Sequence, residues 1–339
     1  MAPKSLSLIL AGTAVKVTSD MIPIEKVRLN PENPRIRFLL QQKGNSKSPS
    51  EAALIEIIRD QPGYDGLQKA IRKAGGIYDP IIISHDGLVV EGNTRAAVFK
   101  VLKKGNSSDA KWRNIPVHRL PRNVPASALA LLMASYHVGG KTVWRAYAKA
   151  DHIHQLKSVY GLTAEQIADE TRMTIKEVEQ NIAAYDYLVK EVLPEAKGSK
   201  GNDILEKKFS HALEFIKNKK LDTHRKDPKF RKHIAQLIVT DRIKGAEVRD
   251  LDKVMKNRQA TSALKKGGFK AAKVVLNEAD PTAASKVLKE IKHLTATLSS
   301  MSQTDIELIK KSQKARDLLV ALHKEIKSVA SITGTKFKG

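Results

Sequence analysis

"GLVVEGNTRAAVFKVLKK", residues 87–104, decides the fold of the N-terminal part of the chain. It reads as a hydrophobic strand (Leu88 to Val90), a tight polar turn (Glu91 to Thr94) and a helix opening on Arg95 that runs to about Lys104. Glycine in the turn lets the backbone come close to something. The helix start offers unpaired N–H groups and a positive dipole end. The backbone amides of Gly92, Asn93, Thr94 and Arg95 are therefore candidates for holding a phosphate, with the Arg95 guanidinium adding charged donors. Glu91 is placed to accept from a ribose hydroxyl or to hold a metal through water. The same pattern also fits an ordinary β-to-α turn with a solvated arginine.

Working outward, "DPIIISHDGLVVEG" (79–92) is a β-hairpin joined at His85-Asp86-Gly87, where Asp-Gly is a strong turn signal. "SEAALIEIIRDQPGYDGLQKAIRKAGG" (50–76) gives two amphipathic helices, ended by Gly75 and Gly76. "IPIEKVRLNPENPR" (22–35) is an extended entry followed by a Pro-rich turn at Pro31 and Pro34. It delivers Arg35 and Arg37 as further phosphate candidates, or simply as exposed charges on a structural turn. "IPVHRLP" (115–121) is another short strand. These pieces make a small α+β domain over 21–125, preceded by a loose leader over 1–20.

From Ala126 onward strand signals almost vanish. In "YGLTAEQIADETRMTIKEVEQNIAAYDYL" (160–188), Thr163 caps one short helix and Thr174 a second. Ile167, Ala168, Ile175, Val178 and Ile182 are spaced to pack them crosswise, a helix-turn-helix pattern. "KGSKGND" (197–203) is a connector. The organisation is thus a helical, helix-turn-helix DNA-binding region over 126–255 and a C-terminal helical or dimerisation region over 256–339. In the latter two amphipathic helices are expected. One starts at Asp280-Pro281; the other is capped by Ser302 or Thr304 and striped by Leu308, Ala315, Leu318, Leu322 and Ile326.

Sixty Lys+Arg stand against 36 Asp+Glu, a formal charge of +24. Such a surplus favours polyanions, nucleic acid first. Candidate DNA contacts are Lys176, Gln180 and Asn181 on the second helix of the motif, and the basic segments carrying Lys207, Lys208, Arg225, Lys226, Lys229, Arg231 and Lys232. Glu177 and Glu179, in the first turns of that second helix, argue against base reading. No apolar run approaches a membrane span, and "LILAG" (7–11) is too short for a secretory signal. The chain has no cysteine, which excludes disulfides, thiolate zinc sites and cysteine nucleophiles and fits a reducing cytoplasm.

Three boxes occur in order: Asn30-Pro31 with Arg35; Gly76 with Pro80-Ile81-Ile82; and Gly92-Asn93-Thr94-Arg95. In spacing they resemble the N-terminal domain of the ParB/sulfiredoxin superfamily, across residues 21 to 120, in an "EGN-x-R" branch. The helix-turn-helix resembles the ParB central domain that follows it. The resemblance implies nucleoside triphosphate binding (CTP or ATP) with Mg²⁺, DNA as partner, a homodimer and a cytoplasmic, nucleoid-associated protein. It also implies possible NTPase or nuclease activity. Where ParB proteins carry Gly-Glu-Arg-Arg this chain has Gly-Asn-Thr-Arg, one phosphate-binding arginine fewer. Their Glu-Asn-x-x-Arg motif is absent; Ser135, His137 and Lys141 stand in that region. Gly139-Gly140-Lys141-Thr142 is Walker-like only in composition. Sulfiredoxin chemistry is excluded by the missing cysteine.

Three functions follow as alternatives. One is a DNA-binding protein whose grip is switched by a bound nucleotide, acting in partition, regulation or phage-related DNA processing, with a further protein partner possible. The second is a metal-dependent nuclease or nickase using Glu91, Asp79 and Asp86. The third is a basic DNA-binding protein that needs no nucleotide.

Overall fold

In the computed structural model, residues 4–10, 13–42, 48–138, 144–196, 201–280 and 285–336 are described. The hairpin read from 79–92 forms as β3 (Ile81–Ile83) and β4 (Val89–Glu91). Gly87 takes the left-handed φ of +88° that the turn demands. Ser84 closes the turn, its N–H donating to Leu88 O at 2.8 Å and its Oγ accepting from Leu88 N–H at 3.0 Å. β5 (Asn114–Arg119) pairs parallel to β3 and antiparallel to β2 (Thr13–Pro23), which pairs in turn with β1 (Lys4–Leu10). The mixed sheet runs β1-β2-β5-β3-β4.

The leader expected over 1–20 is therefore corrected: Lys4–Leu10 and Thr13–Pro23 are antiparallel strands that extend the sheet. β1 is an edge strand, with Ile9 73% and Leu6 46% exposed. A strand with so little of its apolar side covered gives little alternation to detect. The Pro-rich turn forms at Pro31 and Glu32, but its second proline belongs to a helix. Asn33 Oδ1 accepts from Arg35 N–H at 3.0 Å and Pro34 opens helix α1 (Pro34–Gln42), a side-chain cap followed by proline where no N–H is needed.

"PIIIS" explains the layering. Ile81 and Ile83 join one apolar core with Ile36, Ile57 and Phe99 from α1, α2 (Glu51–Arg59) and α4 (Asn93–Gly105), flanked by α3 (Tyr64–Ala74). Ile82 and Val90 face the other way, into a core built with Leu131, Ile153, Ile167 and Val178. Those residues come from α5 (Ala126–Val138), α6 (Ala146–Ser158), α7 (Ala164–Thr171) and α8 (Ile175–Tyr187). A continuous apolar strand is what burial on both faces requires. So the helical region over 126–255 is no separate domain: its first four helices cover the sheet. The chain divides instead into Met1–Lys270 and Ala271–Gly339.

Both caps of the helix-turn-helix form as reciprocal capping boxes, Thr163 with Gln166 and Thr174 with Glu177. Ile175 does not pack inward as its spacing suggests; it is 43% exposed. After α8 come α9 (Leu193–Glu195), α10 (Gly201–Lys217), α11 (Pro228–Val239), α12 (Leu251–Met255), α13 (Arg258–Gly267) and α14 (Phe269–Ala279).

The C-terminal unit holds helices Lys286–Ser299, Gln303–Lys311 and Gln313–Thr333, capped by Ser285, Ser302 and Ser312. Ser302 is one of the two expected caps. The single helix expected beyond it breaks at Ser312, whose extended backbone (φ −105°, ψ 115°) ends one helix and caps the next. The expected start at Pro281 lies outside the described residues. Leu308, Leu318 and Ile326 are 62%, 73% and 44% exposed. Among the described residues no helix is long and apolar enough to cross a membrane.

Candidate functional site

The turn quoted at the outset folds as glycine then helix. Gly92 has φ +98°, and a Cβ there would stand 2.6 Å from Ile81 Cγ2 and 3.1 Å from Arg95 Nη2. Only glycine satisfies both the backbone and the space. The amides of Asn93, Thr94 and Arg95 are the first of α4 and have no intrahelical acceptor. They open onto a cleft of about 1040 Å³.

Several elements wall that cleft. Arg35 reaches it from α1, Ser135, Tyr136 and His137 from the end of α5, and Asp169, Glu170 and Arg172 from the end of α7 and the turn after it. The structure thus gathers Glu91, Gly92, Asn93, Thr94, Arg95, Arg35, Ser135 and His137 into one site. Lys141 lies outside the described residues.

Not every side chain plays the part its spacing suggests. The Asn93 side chain is turned inward. Its Oδ1 accepts from Asn30 N–H and its Nδ2 donates to Asn30 O, each at 2.9 Å. It is a strut between the first and third boxes, and only its backbone reaches the cleft as a donor. Arg37 is 6% exposed and held by Asp151 and Gln155 of α6; it braces α1 to α6 and is absent from the cleft lining. Ser135 Oγ donates to Leu132 O at 2.9 Å within its own helix. His137 stacks on Trp144 with ring centroids 5.0 Å apart.

Arg95 is engaged. It pairs with Glu91 and donates from Nη1 to Asp79 O at 2.6 Å. Burial pushes the Glu91 carboxyl above its ordinary range, against the pull of Arg95. Burial, with the like charge of Arg145 added, lowers the Arg35 guanidinium. Across the cleft Arg35, Arg95 and Arg172 face Asp79, Glu91, Asp169 and Glu170. Acid and base are nearly balanced, which suits an anion that arrives with a cation.

A nucleotide fits this arrangement. First-turn amides and arginines recognise phosphate, and Tyr136, 40% exposed, offers a ring on which a base can stack. Mg²⁺ beside phosphates needs only one or two carboxylates, which Glu91 and Asp79 can supply. A nuclease centre finds less support. Among the described residues no group of three or more His, Asp or Glu is placed to hold a metal, and Asp86 is occupied by Arg28 and Ser84 in the hairpin turn.

The residues selected for DNA separate by pairing. Lys208 pairs with Asp241, Arg225 with Asp222 and Arg231 with Glu191. Arg225 also donates to Asn218 O at 3.1 Å. These three tie helices together. Asn181 is buried, its Nδ2 donating to Glu177 O at 2.7 Å, and so is turned away from any groove. Glu177 accepts from Thr174 N–H at 2.8 Å; the carboxylate serves the cap yet stays exposed, so the objection it raised to base reading stands. Lys176, Lys207, Lys226, Lys229 and Lys232 stand exposed and Gln180 half-buried, Lys232 with Glu195 at 3.6 Å.

Tyr136 and Arg172 were not selected by sequence. Tyr136 sits in no motif and Arg172 sits in the helix-turn-helix turn rather than in a phosphate motif; α5 and the α7–α8 turn bring them in through tertiary packing.

No family model and no curated protein matches the chain. Among solved structures it is similar to the C-terminally truncated chromosome-partitioning protein ParB from Caulobacter crescentus complexed to the centromeric parS site (13% identity, 69% of this chain and 98% of that one, TM-score 0.35). It is similar also to the same truncated protein complexed with CTP-γ-S (16%, 55% and 91%, TM-score 0.24) and to a Pnob8-like ParB-N domain (13%, 81% and 99%, TM-score 0.37). These values describe a loose resemblance of fold.

Proposed function

We propose that the chain is a DNA-binding protein whose grip is set by a nucleoside triphosphate, CTP or ATP with Mg²⁺, seated in the cleft ahead of Arg95. One observation carries this reading: the cleft that receives the Gly92–Arg95 turn is also lined by Arg172, in the turn of the helix-turn-helix. A polyphosphate there touches the sheet and the DNA-facing motif together, so its binding energy differs between arrangements of the two, as a ligand-driven shift requires. Arg95 and the first-turn amides hold phosphate, Arg35 and Arg172 face it from the opposite walls, and Glu91 with Asp79 serve the metal. Exposed lysines of the helical region meet DNA phosphates. The exposed apolar stripe of the C-terminal unit makes it a homodimer, and the working place is the nucleoid of the cytoplasm.

Calorimetry tests the seat. Wild type should bind at least one nucleotide saturably, and Arg95→Ala should weaken it by about 100-fold or more, as the loss of two charge-assisted hydrogen bonds implies. Glu91→Gln combined with Arg95→Ala should remain as stable as Glu91→Gln alone and still fail to bind. Equal affinity in wild type and Arg95→Ala removes the seat.

A further inference from the structure

A second cavity, about 210 Å³, lies between α6, the α7–α8 turn and α10. Its charges are Lys149, Arg172 and Lys217 against Glu177 alone. Glu177 is already committed, accepting from both N–H and Oγ1 of Thr174 at 2.8 and 2.9 Å. Among the described residues none of the three cations makes an ion pair, in contrast to Lys208, Arg225 and Arg231 nearby in sequence.

Three further facts sharpen this. Lys149 is held below the ordinary lysine range by burial, against the pull of Glu177 and with a smaller push from the like charge of Lys217. Three cations share the one carboxylate of Glu177, and an anion between them supplies the charge they lack. Arg172 holds φ +56°, a conformation that glycine or asparagine adopts at less cost. It is also the one residue, among the described residues, that lines both cavities. Finally, the pocket is too small for a nucleotide, whose sites begin at roughly 300 Å³, and opens at the N-terminal end of α8. In a helix-turn-helix that end meets the duplex, with phosphates on either side.

We infer that this pocket seats one phosphate of the DNA backbone, held by Lys149, Arg172 and Lys217, and so fixes the register of α8 on the duplex. The inference rests on the DNA-binding reading proposed above. It assigns a positioning contact that carries no base information.

The test is DNA affinity against salt, on nucleotide-free full-length protein, for wild type and a Lys149→Met, Arg172→Asn, Lys217→Gln triple variant. Each phosphate contact contributes about 0.9 to the slope of log K on log salt. The triple variant should lose that much, so that its fall in affinity between about 50 and 200 mM salt is about 3.5-fold smaller. Its relative preference among sequences should not change. Lys73→Gln, on α3 and outside the lining of both cavities, should keep the wild-type slope. If the triple variant melts early, Lys217→Gln alone, at an exposed position, reads the same loss in weaker form. Wild-type binding with an undiminished slope in both variants overturns the pocket and leaves the functional reading standing. A wild type that does not bind DNA overturns both. Tight uptake of inorganic phosphate by wild type, lost in the triple variant while the DNA slope stays the same, assigns the pocket to a free anion and overturns the inference.

Discussion

The two cavities differ more in pairing than in charge count. The larger collects three arginines, but four carboxylates face them and Arg95 is already joined to Glu91. The smaller has three cations, and its one carboxylate serves a helix cap. The total of +24 predicts neither. What decides how strongly a place attracts a bare anion is whether its cations have partners inside the fold. The first cavity suits a polyphosphate that brings a metal ion; the second suits a phosphodiester.

Five changes break or sharpen that contrast. Gly92→Ala attacks the floor of the larger cavity, forcing a Cβ onto Ile81 at positive φ. Denaturant midpoints should show a loss of about 2–4 kcal/mol; a wild-type midpoint means the turn is looser than drawn. His152 tests the seam, because its Nε2 donates to Ala130 O at 2.8 Å and so joins α6, which carries Lys149, to α5, which ends in the cleft. Burial lowers His152 from 6.5 to about 4. The folded chain then refuses a proton that the unfolded chain accepts, so stability is lost as pH falls through that window. The integrated loss is about 3 kcal/mol, and His152→Gln should flatten it; an unchanged pH profile in that variant refutes the assignment.

Arg231→Gln and Lys229→Gln separate paired from exposed cations. The first should cost about 1–2 kcal/mol of stability and leave DNA affinity within about twofold. The second should leave stability within about 0.5 kcal/mol and weaken DNA binding about threefold at moderate salt. Glu91→Gln is the mildest. It frees Arg95, and affinity for nucleotide without Mg²⁺ should rise a few-fold; a fall instead shows that the Glu91–Arg95 pair itself shapes the seat.

How much of this was legible in sequence follows from the range of each interaction. Thr163 and Thr174 announced their caps because a capping box spans four residues, and Asp86-Gly87 announced the hairpin for the same reason. Asn93 looked like part of a phosphate cradle because its partner, Asn30, is 63 residues away. Tyr136 and Lys149 carried no local signature, and Arg172 showed only as a turn residue between two caps. They matter only because α5–α8 close over the second face of the sheet. The uninterrupted Ile81-Ile82-Ile83 hinted at that closure, since a strand with one wet face alternates. β1 escaped because an edge strand buries too little to mark itself. The Glu91–Arg95 pair went unread because Glu91 ends a strand and Arg95 lies in the first turn of a helix, and its consequence is an arginine that must change partners to take phosphate.

The most direct test of the account is DNA affinity at fixed salt, with and without saturating Mg²⁺-nucleotide, in wild type and Arg172→Asn. The account predicts a clear change in wild-type affinity on adding nucleotide and a much smaller one in the variant, with nucleotide still bound by both. Wild-type DNA binding that is the same with the cleft filled as without nucleotide contradicts it.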